Sequence, residues 1–295
     1  MSIRIPRTTL VCVDCHYRQL ALRALRLTLA QCEYPAVKFF SDAFDASLGL
    51  DPRIEFVPIP RVASAAEYSQ FVLKDLLRYI ETDFVQIIQW DGYVINGPAW
   101  TNEFLDYDYI GARWYFRDDD RSVGNGGFSL RSRRLLEALQ DPAITCERAE
   151  DEAICLAFRD LLQDRYGIRI APPALADRYS FEGTAPNLEA FGFHRFYNFP
   201  LFYGKAELAE IVASINDEDF CSEVSASLLR RLFLLNRTQE ALQYAKRFHP
   251  TPGYYARLSP AIRAKYERFL AGVAEPSAPC PCGSGSTFDK CCGAT

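Results

Sequence analysis

No window of this 295-residue chain holds the roughly 18 uninterrupted apolar residues that a spanning helix needs, so no membrane span is expected. A secretory leader is missing too. Residues 1–9 are polar with Pro6, and the apolar stretch after them is only residues 10–13, which points to the cytoplasm. Surplus positive charge is also absent. The 33 Lys and Arg stand against 38 Asp and Glu, a net charge of -5, which argues against a nucleic-acid coat and leaves only a local pocket for phosphate. With 49% hydrophobic and 24% charged residues, the composition is that of an ordinary globular protein and not of a disordered or collagen-like chain. Cysteine, by contrast, is plentiful. Four of the ten lie in the last sixteen residues, and in a reducing compartment cysteines are more often core residues or metal ligands than disulfide partners.

The first two hundred residues alternate between strand and helix patterns. Residues 8–13, 36–40, 54–59, 84–88, 107–112 and 127–130 read as strands. Helices are expected over 17–31, 64–80, 131–139 and 149–166, the second with Ser64 as N-cap and Glu67 closing a capping box, the last stopped by Gly167. The run 84–88, the most apolar strand of the set, suits a strand buried on both faces of a parallel sheet, and the alternation as a whole predicts an α/β sandwich. Residues 171–200 have no clear period. Helical patterns then cover 205–214, 219–235, 239–249 and 260–273, and 274–279 is a Pro/Ala/Ser linker. The expected division is 1–203, a helical extension at 204–273, the linker, and a separate tail at 280–295.

That tail reads C-x-C-x8-C-C, with Cys280, Cys282, Cys291 and Cys292 around Gly283-Ser284-Gly285. Four thiolates suit tetrahedral zinc, and so short a segment has no apolar core of its own to fold around. Pro279-Cys280-Pro281-Cys282-Gly283-Ser284-Gly285 and Lys290-Cys291-Cys292-Gly293 resemble the zinc-binding SEC-C motif. The resemblance implies a docking module for a protein partner. In many members His is the last ligand, where this chain has Cys292. Cys12-x-x-Cys15 has no second pair nearby; Cys12, Cys32, Cys146, Cys155 and Cys221 read as packed thiols.

In open α/β sheets ligands bind beyond the carboxyl ends of strands, which selects Asp14 and Asp91, each directly after a strong strand. A carboxylate at Asp91 can hold Mg or Mn against a diphosphate. An Asp-Gly pair equally suits a hairpin turn. Three further segments join these. Gly124-Asn125-Gly126-Gly127 would let a ligand approach backbone. Glu150-Asp151-Glu152 opens a helix, where a carboxylate can act as general base. Phe191-Gly192-Phe193-His194-Arg195 carries one of only three histidines.

Together, Asp91-Gly92, Asn125-Gly-Gly-Phe-Ser-Leu-Arg131, Glu150-Asp151 and Gly192-Phe-His194 resemble a bacterial glycosyltransferase-like family of the GT-A fold that is described as a domain of unknown function. The resemblance implies a Rossmann-type GT-A-like sandwich with a central mixed, mostly parallel sheet, and transfer of a sugar from a nucleotide-sugar donor to a glycan, natural-product or protein acceptor hydroxyl. It further implies that Asp91 and His194 hold Mn or Mg on the diphosphate, and that Asp151, with Glu150 as the less favoured option, deprotonates the acceptor. Asp14, Trp90, Asn125, Gly126 and Gly127 are then donor-site residues. Lys74, Arg61 and Arg113 are candidate diphosphate contacts. Gln89 departs from the Asp-x-Asp usual in the fold, which bears on metal affinity. The literal Asp106-Tyr107-Asp108 precedes a strand and reads as a turn. A non-catalytic nucleotide- or glycan-binding protein that recruits a partner through its tail is the alternative.

Overall fold

The computed structural model describes residues 2–44, 49–220 and 223–247, together with positions 277, 279, 286, 287 and 290. It divides into two compact units, 1–195 and 196–295. The expected helix over 260–273 and all four tail cysteines lie outside the described residues.

In the first unit, β1 (Ile3–Arg4), β2 (Thr8–Val13), α1 (Arg18–Gln31), β3 (Cys32–Glu33), β4 (Ala36–Ser41) and β5 (Glu55–Pro58) come first. They are followed by α2 (Ala65–Gln70), β6 (Phe84–Ile88), β7 (Tyr93–Val94), β8 (Tyr109–Ile110) and β9 (Phe128–Ser132). Then come α3 (Arg133–Ala138), α4 (Glu150–Glu152), α5 (Arg159–Tyr166), α6 (Pro173–Tyr179), β10 (Ser180–Phe181) and β11 (Gly192–Phe193). A six-stranded sheet, ordered β5-β4-β2-β6-β9-β8, runs parallel from β5 to β6 and antiparallel through β9 and β8. This is the central, mixed, mostly parallel sheet expected. Every residue of β2, β6 and β9 is buried, which is why β2 and β6 read as near-continuous apolar runs.

Ser64 caps the helix as expected, its side chain accepting from the Glu67 N–H at 3.2 Å, but the Glu67 carboxylate accepts from the Ala63 N–H at 2.6 Å, one residue before the cap, and not from Ser64 itself. The helix it opens is not uniform, passing into a π-turn at Phe71–Asp75 and a 3-10 turn at Leu76–Tyr79. The expected helix over 149–166 is likewise broken, by a π-turn at Ala153–Ala157, before Gly167 ends α5 in the left-handed conformation at φ +62. The expected start of α3 at Arg131 is corrected. Arg131 pairs with Val85 in the sheet, and Ser132 caps the helix by accepting from Leu135 N at 3.0 Å. The strand expected over 107–112 shortens to β8.

Cys12, Cys15, Cys32 and Cys155 are buried free thiols, Cys146 is half-buried, and Cys221 lies outside the described residues. In the second unit, α7 (Lys205–Ala213), α8 (Asp217–Phe220), α9 (Glu223–Leu234) and α10 (Thr238–Arg247) follow a 3-10 segment at Phe196–Leu201. Arg237 donates to the carbonyls of Pro200 and Tyr203 at 2.7 and 2.8 Å and pairs with Glu240, fixing the start of α10. Among the described residues, no helix is long and apolar enough to cross a membrane.

Candidate functional site

A second, three-stranded sheet builds the site. β11 pairs parallel with β10 and antiparallel with β7, with Phe193 opposite both Phe181 and Tyr93. The parallel strands β10 and β11 leave the sheet at the same end, delivering Glu182 and His194, while β7 enters there, directly after Asp91 and Gly92. Three carboxylate- and imidazole-bearing segments distant in sequence therefore meet. His194 Nε2 lies 3.2 Å from Asp91 Oδ1 and 3.1 Å from Gln89 Oε1, and its Nδ1 lies 3.6 Å from Glu182 Oε1. Glu182 Oε1 also accepts from Arg195 Nε at 2.7 Å.

The charges follow from this packing. Burial would lower the His194 pKa, but Asp91 and Glu182 outweigh it and raise it from 6.5 to about 9, so the ring is an imidazolium at neutral pH. Burial likewise opposes ionisation of Glu182, and His194 and Arg195 overcome it, leaving that carboxyl below its usual range. Close approach explains two glycines. A Cβ on Gly92 would sit 2.9 Å from the Phe193 carbonyl oxygen, and one on Gly127 would sit 2.1 Å from His194 Nε2.

The Asn125-Gly-Gly loop joins this cluster to α4. Asn125, held at a left-handed φ of 64, donates its backbone N–H to Asp151 Oδ2 at 3.1 Å and its side-chain amide to Glu182 Oε2 at 2.8 Å. Its own Oδ1 accepts from Gly127 N at 3.1 Å. The neighbouring acids, Glu150 and Asp151, part ways. Glu150 is buried and paired at 2.9 Å with Arg131, whose side chain is 0% exposed. Asp151 is pushed up to about 6, by burial first and by Glu150 next, with the Glu152 N–H and then Arg131 partly offsetting both. Glu150 is thus held by Arg131, while the proton affinity of Asp151 is raised toward neutrality.

At the end of β2, Asp14 Oδ1 accepts from the N–H groups of His16 and Tyr17 at 2.8 and 2.5 Å, and burial lifts its pKa to about 6 despite those bonds. Trp90 packs on Tyr17 with ring centroids 5.2 Å apart, so Asp14 and Trp90 lie on adjacent strand ends. Lys74 Nζ donates to the carbonyls of Leu139 and Asp141 beyond the end of α3, at 2.5 and 3.2 Å, and so ties down that chain turn. Arg113 pairs with Asp177 of α6 at 2.8 Å, and Arg61 is exposed. Asp108, from the literal Asp-x-Asp, binds the Ser132 hydroxyl and the Arg169 N–H, consistent with a structural turn.

Sequence reasoning missed Glu182, which sits in the aperiodic stretch, and gave Arg131 no role. The signal for Glu182 was only an acid after two residues of strand.

Among the described residues, no group of three or more His, Cys, Asp and Glu side chains is arranged to hold a metal ion. Asp91, Gln89 and His194 nevertheless offer a carboxylate, an amide oxygen and an imidazole side by side. That donor chemistry fits a divalent ion that takes its remaining ligands from water and substrate phosphates, once His194 gives up its proton.

Residues 51–194 match a family described as protein of unknown function (DUF5672), and residues 277–294 match the SEC-C motif. The chain is thus similar to DUF5672 over that segment and to SEC-C over its tail. Asp91, Asn125, Asp151, Glu182 and His194 all fall inside the DUF5672 segment, whereas Asp14 precedes it. No curated protein matches the chain. Solved structures similar to it include the galactosyltransferase LgtC in complex with donor and acceptor sugar analogues, at 13% identity, covering 70% of this chain and 96% of that one, with a TM-score of 0.41. The mannosyltransferase PcManGT from Pyrobaculum calidifontis, in complex with GDP-Man and Mn2+, is 14% identical over 90% of this chain and 84% of that one, TM-score 0.41. The apo-form glycosyltransferase GlyE of Streptococcus pneumoniae is 12% identical over 78% and 64%, TM-score 0.43.

Proposed function

We propose that the DUF5672 segment is a nucleotide-sugar-dependent glycosyltransferase. The observation that carries this reading is the convergence of Asp91, His194, Glu182, Asn125 and Asp151 at one end of two sheets, with Asp14 and Trp90 on the neighbouring strand ends. In that reading the donor diphosphate lies beyond β2 and β6, and the Arg195 guanidinium answers the charge that develops as the nucleotide leaves, with the His194 imidazolium beside it only where no metal ion is bound. Asp151 takes the acceptor proton; a pKa of about 6 keeps it mostly ionised at pH 7 while leaving it basic enough to work. The Asn125 N–H holds the Asp151 carboxylate in place. Asp91, Gln89 and His194 would hold Mn or Mg, and such an ion, when bound, neutralises diphosphate charge.

The test is release of nucleoside diphosphate from a panel of UDP- and GDP-sugars, with and without Mn2+ or Mg2+, by wild type, Asp91→Asn and Asp151→Asn. Turnover lost in both variants supports the reading. Absence of any nucleotide binding sinks it.

A second reading is supported by one feature: Asp91 and His194 close on each other, with Gln89 where the fold usually has an acid. A non-catalytic nucleotide- or glycan-binding protein fits that arrangement, and nucleotide binding without turnover of any donor would favour it. For the SEC-C tail we infer zinc held by Cys280, Cys282, Cys291 and Cys292, and a protein partner docked there. Zinc content equal in wild type and Cys280→Ser/Cys282→Ser protein would remove that proposal.

A further inference from the structure

The chain between β8 and β9 makes a short hairpin, with Arg113 bridged to Val123 and the Trp114 N–H donating to Ser122 O at 2.7 Å. At its tip stand two consecutive aromatic rings that burial does not explain: Tyr115 is 74% exposed and Phe116 59%. Trp114, nearly buried, stacks on Phe116 with ring centroids 5.6 Å apart and an interplanar angle of 23°, and Tyr115 meets Phe116 edge-on at 5.5 Å.

The hairpin is seated on the site from both sides. The Trp114 indole lies over Gly124, where a Cβ would come within 2.0 Å of it, and the Tyr115 ring lies over Gly183, where a Cβ would come within 2.4 Å. The next residue along from Gly124 is Asn125, and the one before Gly183 is Glu182. Those two are joined at 2.8 Å; the Asn125 N–H donates to Asp151, and Glu182 forms an ion pair with His194 at 3.6 Å. The exposed Tyr115 ring therefore stands one residue from Glu182, and Phe116 stacks on the Trp114 indole that lies one residue from Asn125.

We infer that Tyr115 and Phe116 form the acceptor platform, a stacking surface for the C–H face of a hexopyranose whose hydroxyl is presented to Asp151. This rests on the glycosyltransferase reading. A sugar ring has one face of C–H groups and a rim of hydroxyls, so it is recognised by an aromatic face with acceptors around it. Asp118 and Asp120, exposed on the same tip, supply such acceptors. Two rings are far too small a patch for a protein interface, which takes about 800 Å² on each partner.

The experiment is saturation-transfer NMR with methyl β-D-glucopyranoside, methyl β-D-galactopyranoside and methyl α-D-mannopyranoside. The proteins are wild type, Tyr115→Phe, Tyr115→Ala and Tyr115→Ala/Phe116→Ala, with calorimetric titration of UDP and GDP in the presence of Mn2+ run in parallel. Both side chains are exposed, so the variants should fold. At least one pyranoside should bind wild type and Tyr115→Phe, and weaken roughly five- to tenfold per ring removed, with nucleoside diphosphate affinity unchanged. Pyranoside binding equal in wild type and the double variant overturns the platform. So does a protein that binds a nucleoside diphosphate and no pyranoside, which leaves the transferase reading standing. Ring-dependent pyranoside binding without nucleotide binding upholds the two rings as a sugar-stacking surface but overturns the transferase reading and with it the acceptor role; binding of neither overturns both.

Discussion

Replacing Arg131 with Met tests whether the Arg131–Glu150 pair is the structural base of the site. The two side chains are 0% and 7% exposed and meet at 2.9 Å, so Arg131→Met leaves a carboxylate desolvated with its main counter-charge gone. Breaking a buried pair from one side costs about 3–5 kcal/mol, against a total stability of roughly 5–15 kcal/mol. At about 2–4 °C per kcal/mol for a domain of this size, the melting temperature should drop by roughly 6–20 °C. Glu150→Leu should cost a similar amount for the converse reason. The double variant Arg131→Met/Glu150→Leu should cost less than the sum by about 1–3 kcal/mol, since it leaves no orphaned charge. Denaturant unfolding of the four proteins measures this cycle. A single-variant cost under about 1 kcal/mol, or simple additivity in the double, would refute the reasoning. Removal of Arg131 also takes away the charge that partly offsets Glu150 at Asp151, so the acid limb of any pH–rate profile should move to higher pH.

In the wild type that acid limb should have its midpoint near pH 6, because Asp151 must be ionised to accept a proton; a limb near pH 4 would remove Asp151 as the base. The linked stability effect has the opposite sense. A carboxyl raised from 3.8 to about 6 binds more protons folded than unfolded between those values, so its contribution to stability falls as pH rises through that window and stays at its lower level above about 6. Gly127→Ala should abolish turnover in a protein that still folds, since its Cβ would lie 2.1 Å from His194 Nε2; full activity in this variant would mean that His194 has no role where it stands. Lys74→Met should lower stability by about 1–2 kcal/mol through two lost carbonyl contacts and leave nucleoside diphosphate affinity unchanged in calorimetry. Weakened affinity would restore Lys74 to the phosphate site.

The strands that carry the site were readable because burial on both faces leaves an unmistakable mark: β2 and β6 are runs of apolar and β-branched residues, and the acids that follow them, Asp14 and Asp91, stand out by contrast. The glycines of Gly124-Asn125-Gly126-Gly127 were equally visible. Their cause was not. In sequence they suggested room for a ligand, whereas Gly126 and Gly127 prove to make room for Glu150 and His194, and Gly124 for Trp114. Glu182 was invisible because β10 and β11 are two residues each, too short to show any period, and exist only because they pair with each other and with β7.

Composition and hydrophobic pattern alone thus determined the class of the protein: an α/β sheet domain, a helical extension, and a cysteine-rich tail of different character. They also picked out most of the polar residues worth watching, since a carboxylate after a buried strand or at a helix start is chemically conspicuous wherever it lies. Which of those residues act together was decided by tertiary structure. Lys74 and Arg113 had the right charge, but nearby carbonyls and Asp177 hold them. Glu150 and Asp151 are neighbours in sequence yet differ in fate, because Glu150 lies within reach of a buried arginine. Proton affinities depend on distances across the fold, and those are set by the pairing of β7, β10 and β11, which no local pattern records.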